Sequence, residues 1–110
     1  MRISVSAPDD HLEQPEIDEI HRDLEKIDRR LHEFKEEVRA DVRVKNEGSA
    51  PQRHVVIELN YGRTHLLAKA DNADLGQAVR EAREDLLRQI NDRSRGGHSS
   101  FAKRAAGRTP

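Results

Sequence analysis

The residues of this 110-residue chain best suited to moving protons near neutral pH, or to holding a transition metal, are its six histidines. They are His11, His21, His32, His54, His65 and His98. No two stand three to five residues apart, the spacing that lets one helix or loop offer two imidazoles to a zinc ion. There are no cysteines, so thiolate metal sites and disulfides both drop out. The chain has no nucleophile elbow, no glycine-rich phosphate loop and no dinucleotide fingerprint. Glu58 and His65 can face each other across a hairpin, which reads as a cross-strand polar pair on a solvated face. Asp9–Asp10 and Glu36–Glu37 are ordinary solvated charge. No catalytic residue, metal site, cofactor or small-molecule substrate is expected, and the chain does not read as an enzyme.

The basic residues are better organised. Guanidinium and ammonium groups bind phosphate by charge and geometry, without reading bases. The formal net charge of −1 hides a split. Residues 1–92 hold fifteen Lys/Arg and twenty-one Asp/Glu, a net of −6. Residues 93–110 hold Arg93, Arg95, Lys103, Arg104 and Arg108 and no acid, a net of +5. A charge asymmetry of this kind is a hint of an interaction tail, and the plainer alternative is a disordered terminus whose charge only keeps it soluble. Upstream, Arg22, Lys26 and Arg29 fall on one helical face, with Arg30 beside them. The like-charge pairs Arg22–Lys26 and Lys26–Arg30 cost a few tenths of a kcal/mol each, an order-of-magnitude figure. Asp18, Glu25 and Glu33 offset part of that. In a later helix Arg80 and Arg83 share a flank with Leu87, while Arg88 lies on the other flank near Glu81, Glu84 and Asp85. Glu84 to Arg88 is the favourable i, i+4 orientation. The candidate phosphate contacts are therefore Arg22, Lys26, Arg29, Arg30, Arg80, Arg83 and Arg88, continued by Arg93 and Arg95. With two Phe, one Tyr and no Trp, a base-stacking platform is not expected.

These side chains need elements to hold them. "RISVSA" alternates apolar and polar residues and predicts a short strand. From Pro15, apolar residues fall at Ile17, Ile20, Leu24, Ile27, Leu31, Phe34 and Val38, an unbroken helical seam. A coiled coil would use such a seam, but strands follow at once, so it reads as a helix lying on a sheet. "VRADVRV" alternates Val38, Ala40, Val42 and Val44 with Arg39, Asp41 and Arg43, a strand with one buried face. "HVVIELN" and "THLLAKA" read as two strands of a hairpin around Gly62. A turn centred on Tyr61 and Gly62 would pair Ile57 with Leu66 and Val55 with Ala68, and would set Val56 beside Leu67. "DNAD" offers Asp71 or Asn72 as a cap for a second helix striped by Leu75, Ala78, Val79, Ala82, Leu86 and Ile90. That helix is expected to fray by Ser94. The order β-α-β-β-β-α predicts an α+β fold: a four-stranded mixed sheet with two helices on one face. One domain over residues 1–93 and a disordered basic tail over 94–110 are expected.

A hydrophobic content of 34% against 37% charged residues suits a thin two-layer core. No signal-peptide stretch and no membrane span is visible, and a cytoplasmic protein is expected.

The segments "PEI", "LEKIDRRL", "VVIELNYGRTHLLAKA" and above all "ADLGQAVREAREDLLRQI" resemble the ribosome hibernation-promoting factors. These are also known as ribosome-associated translation inhibitors or sigma-54 modulation proteins. The likeness covers residues 1–93. The family pattern in the last helix is an acid, an apolar residue, two spacers, Ala-Ile and later Lys-Leu-Glu-Arg-Gln-Leu. Here it meets Asp74-Leu75, Ala78-Val79 and Asp85-Leu86-Leu87-Arg88-Gln89-Ile90. The resemblance implies a fold similar to the double-stranded RNA-binding domain. It also implies binding at the decoding region of the small ribosomal subunit, through basic helix side chains on rRNA phosphates, and arrest of translation under stress. It implies no catalysis and no cofactor. Family members usually carry lysines where this chain has Glu81 and Asp85; Arg88 matches, while Arg80 and Arg83 are basic where the family usually is not.

A different reading is a protein–protein module with the same fold. Residues 1–37 carry six Lys/Arg against twelve Asp/Glu. The expected Val56–Leu67 pair would give self-association through the exposed sheet face.

Overall fold

A computed structural model describes residues 1–7, 12–46 and 52–96. The elements are β1 (Arg2–Ser6), α1 (Gln14–Arg30), a short 3₁₀ helix (His32–Glu37), β2 (Val38–Asn46), β3 (Arg53–Tyr61), β4 (Thr64–Asn72) and α2 (Leu75–Gly96). The sheet order is β1-β2-β3-β4, with β1 parallel to β2 and the other pairs antiparallel. The expected α+β architecture is the one found.

Topology fixes the helix directions. Each helix returns along the sheet from the end of a strand, α1 from β1 and α2 from β4. Two antiparallel steps make β4 run the same way as β2 and β1, so the helices run parallel to each other. Their contacts agree. Arg80 meets Glu19, Arg83 meets Asp23 and Arg30 meets Asn91, a nearly constant offset in sequence. Both C-termini therefore lie at the end of the sheet that holds the β3–β4 turn.

The core is one layer between helices and sheet. Leu24 and Ile27 from α1, Val42 and Val44 from β2, Val55, Ile57 and Leu59 from β3, and Ala78, Val79 and Leu86 from α2 are all buried. Truncating one of the larger members, such as Leu24→Ala, would cost about 2–5 kcal/mol through lost transfer energy and the cavity left behind.

Four expectations are corrected. The helical seam stops at Leu31, because Val38 pairs with Tyr61 at the start of β2 and is fully buried there. Sheet pairing wins over the continuing three-four spacing, and the 3₁₀ turn carries the chain down to the sheet. Phe34 packs edge-on against Tyr61, ring centroids 5.1 Å apart. The hairpin turns at Gly62–Arg63, so Leu59 faces Leu66, Ile57 faces Ala68 and Val55 faces Ala70. This register differs from the expected one by two residues. A two-residue slip keeps every side chain on its face, so the buried set is unchanged. Gly62 takes a positive φ of 57°, and a Cβ there would meet the Phe34 ring at 3.3 Å. Asp71 caps nothing, since its carboxylate pairs with His54. Instead Asn72 Oδ1 accepts from the Asp74 N–H at 2.9 Å, shaping the turn into α2. Finally, α2 runs past Ser94 to Gly96. The rest of the expected tail, 97–110, lies outside the described residues.

Candidate nucleic-acid interface

The first basic group stands on the outer face of α1. Arg22, Lys26 and Arg29 are exposed, and none makes an ion pair or side-chain hydrogen bond with another described residue. Burial of Ile20, Leu24, Ile27 and Leu31 against the sheet turns these three outward. Among the described residues, no ion pair would have to break for them to take an anion.

The groove between the helices holds the second group, and here the cations are already paired. Arg80 Nη1 lies 3.8 Å from Glu19, and its Nη2 donates to Gln77 at 3.2 Å. Arg30 Nε donates to Asn91 Oδ1 at 3.0 Å. Arg83 is only 8% exposed. Its Nη2 and Nε donate to Glu84 at 2.8 and 3.1 Å, and its Nη1 reaches the Asp23 carboxylate at 3.5 Å and the Asp23 carbonyl at 3.4 Å. The sequence grouped Arg83 with the phosphate contacts; in the structure its guanidinium is already engaged by Asp23 and Glu84. Its flank of the α2 stripe faces α1, which turns a presumed surface arginine into a strut between helices.

Arg88, 68% exposed, donates to Asp85 at 2.9 Å, one turn back. The expected partner Glu84 is engaged by Arg83 instead. Exposed pairs of this kind contribute about 0–1 kcal/mol, so a phosphate could displace Asp85 at little cost.

At the shared C-terminal end, Arg30 and Arg93 flank a cleft of about 240 Å³ floored by Leu31, Phe34, Tyr61 and Ile90. Cations there also complement the negative ends of both helix dipoles. Tyr61 is buried and Phe34 half-buried against it, so neither ring is free to act as a stacking platform. The Arg95 side chain lies outside the described residues.

Further basic residues, missed in the sequence, lie on the sheet face turned away from the helices. They are Arg2, Arg39, Arg43, Lys45 and Lys69, all exposed. The signal was present in "VRADVRVK": a period-two pattern that buries Val38, Ala40, Val42 and Val44 must place Arg39, Arg43 and Lys45 together on the other face. On the same face Glu58 Oε2 lies 3.6 Å from His65 Nε2, a diagonal contact, since the directly opposed residue is Leu67. The expected Val56–Leu67 pair does not form. Val56 faces Lys69, and Leu67, 42% exposed, stands as the one large exposed apolar side chain among the described residues.

Among the described residues no group of three or more His, Cys, Asp or Glu could hold a metal ion. No described helix is long and apolar enough to cross a membrane.

Comparison with solved structures bears on the fold. The N-terminal domain of Protein Y from Thermus thermophilus superposes with a TM-score of 0.69 at 20% sequence identity, covering 82% of this chain and 96% of that one. The chain has the Protein Y fold. A ribosomal subunit interface protein from Coxiella burnetii superposes equally well, TM-score 0.69 at 12% identity, covering 86% of this chain and 98% of its own. The likeness to Protein Y is one of fold and spans nearly the whole of each matched structure. No family model matches the chain, and no curated protein matches it either.

Proposed function

We propose that this protein is a non-enzymatic ribosome-associated factor of the hibernation type, which occupies the decoding region of the small subunit and blocks translation. One observation carries the reading: the fold is shared, over most of the chain, with a protein named for the ribosomal subunit interface. The resemblance of α1, the β3–β4 hairpin and α2 to the hibernation-promoting factors points the same way. Arg22, Lys26 and Arg29 are the leading rRNA contacts, because no other described residue pairs with them. Arg30, Arg80 and Arg88 join by exchanging weak neutral or exposed partners for phosphate. Arg93 extends the surface at the end of α2, and Arg95, two residues further along the sequence, is the last of the proposed contacts. Arg83 holds the two helices in register and does not touch RNA. Such a factor acts in the cytoplasm, without cofactor or small-molecule substrate.

The test is competition on the subunit. Full-length protein is added to small ribosomal subunits carrying mRNA and tRNA, and tRNA occupancy is followed. Loss of tRNA as protein is added supports the reading. Stable co-occupancy of protein and tRNA excludes the decoding region, and a protein that never associates ends the proposal.

A further inference from the structure

The open face of the sheet is a grid whose rows follow from the strand register. Arg2 stands opposite Arg39, in a row completed by Asn60 and His65. The next row is Ser4, Asp41, Glu58 and Leu67. Then come Ser6, Arg43, Val56 and Lys69, and finally Lys45, His54 and Asp71. Two rows thus carry two cations each and no acid. None of the five cations makes an ion pair or side-chain hydrogen bond with another described residue.

The balance of charge is the reverse of what the helix surface shows. This face holds five Lys/Arg and three Asp/Glu, a net of +2. Helices α1 and α2 together hold nine Lys/Arg and ten Asp/Glu, a net of −1. Edge strands often carry lysine to prevent unwanted pairing, and that accounts for Lys69 on β4 and Arg2 on β1. It does not account for Arg39, Arg43 and Lys45, which lie on the central strand β2. Arg2 directly opposite Arg39 is a like-charge pair, destabilising in the isolated protein and relieved by an anion placed between them.

We infer that this face is a second RNA-binding surface, taking the phosphate backbone through Arg39, Arg43 and Lys69, with Arg2 and Lys45 at its margins. Arg39 and Arg43 are about 13 Å apart along the strand, and Arg43 and Lys69 lie two strands apart, about 10 Å. That spread suits several phosphates of a folded RNA rather than one free anion. The acids Asp41 and Glu58, opposed at the centre, work against binding and set its strength. With cations on both layers, the domain is built to sit between two RNA walls, a geometry that rests on the ribosome reading above.

The experiment uses full-length protein and two probes, small ribosomal subunits and a duplex RNA of about 16 base pairs, the length that one RNA-binding domain of this general shape spans. Binding is measured at rising salt for the wild type and for Arg39→Gln/Arg43→Gln/Lys69→Gln, with circular dichroism as a check on folding. The triple variant should bind about tenfold or more weakly at low salt, and its slope of log K against log salt should shrink by about 3. Asp41→Asn/Glu58→Gln, which removes repulsion without touching a cation, should bind several-fold tighter. Unchanged affinity and slope in both variants would overturn the proposal. Equal binding of the wild type to poly-glutamate would overturn RNA as the ligand and make this a surface for acidic protein. Binding to duplex RNA but not to subunits, lost in the triple variant, would keep this inference and end the ribosome reading. Failure of the wild type on both probes would end both.

Discussion

Arg83 of α2 and Asp23 of α1 meet across the helix interface, guanidinium to carboxylate at 3.5 Å and guanidinium to carbonyl at 3.4 Å, with both side chains largely out of solvent. The second carboxylate oxygen of Asp23 is buried and has no hydrogen-bond partner among the described residues. Removing Arg83 would leave the Asp23 charge without its cation. Arg83→Gln should therefore lower stability by roughly 3 kcal/mol, near the lower end for breaking a buried pair because Glu84 and part of Asp23 remain hydrated. Urea unfolding measures this directly. The folded fraction should bind ribosomal subunits as the wild type does. Unaltered stability together with weakened binding would return Arg83 to the phosphate contacts.

The α1 triad behaves in the opposite way. Arg22→Gln/Lys26→Gln/Arg29→Gln removes both like-charge i, i+4 pairs, Arg22–Lys26 and Lys26–Arg30, so stability should hold or rise by a few tenths of a kcal/mol, an order-of-magnitude figure. Affinity for small subunits should fall, and the salt slope should shrink by about 3. A thermal melt and a salt titration on the same preparation separate these outcomes.

Gly62 is held at positive φ in the β3–β4 turn, beside the Phe34 ring. Gly62→Ala would strain the backbone and crowd that ring. A loss of about 1 kcal/mol or more in the unfolding free energy is expected. An unchanged midpoint of denaturation would contradict the turn geometry.

Leu67 is the one large exposed apolar side chain among the described residues, and it lies on the open sheet directly opposite Glu58. A single exposed apolar residue is ordinary and does not make an association surface. Wild type and Leu67→Asp should sediment alike in analytical ultracentrifugation at the same concentration. A drop in sedimentation coefficient on substitution would revive self-association through the sheet.

The order of elements and nearly all of the core could be read from spacing, because a period of two or of three and four leaves few ways to bury Ile20, Leu24, Ile57 or Leu86. What spacing leaves open is register. Pairing Ile57 with Leu66 or with Ala68 buries the same residues, and only the turn at Gly62–Arg63 chooses between them. Phe34 and Val38 fit the helical seam as well as the strand pattern, and pairing of Val38 with Tyr61 decided the matter. At the candidate site, helical wheels found the exposed cations of α1. They misplaced Arg83, since a flank facing solvent and a flank facing another helix look alike until the helices are set side by side. The cations of β2 are legible in the alternation of "VRADVRVK", which puts Arg39, Arg43 and Lys45 on the face opposite the buried valines.

The central claim is that this protein binds the small ribosomal subunit through phosphate contacts. Co-sedimentation of the full-length protein with small subunits, across a rising salt series, tests it most directly. Phosphate-driven binding should be strong at low salt and fall steeply, in log-log proportion, as salt rises. A protein that stays in the supernatant at every salt concentration, or that pellets equally at all of them, would contradict the claim.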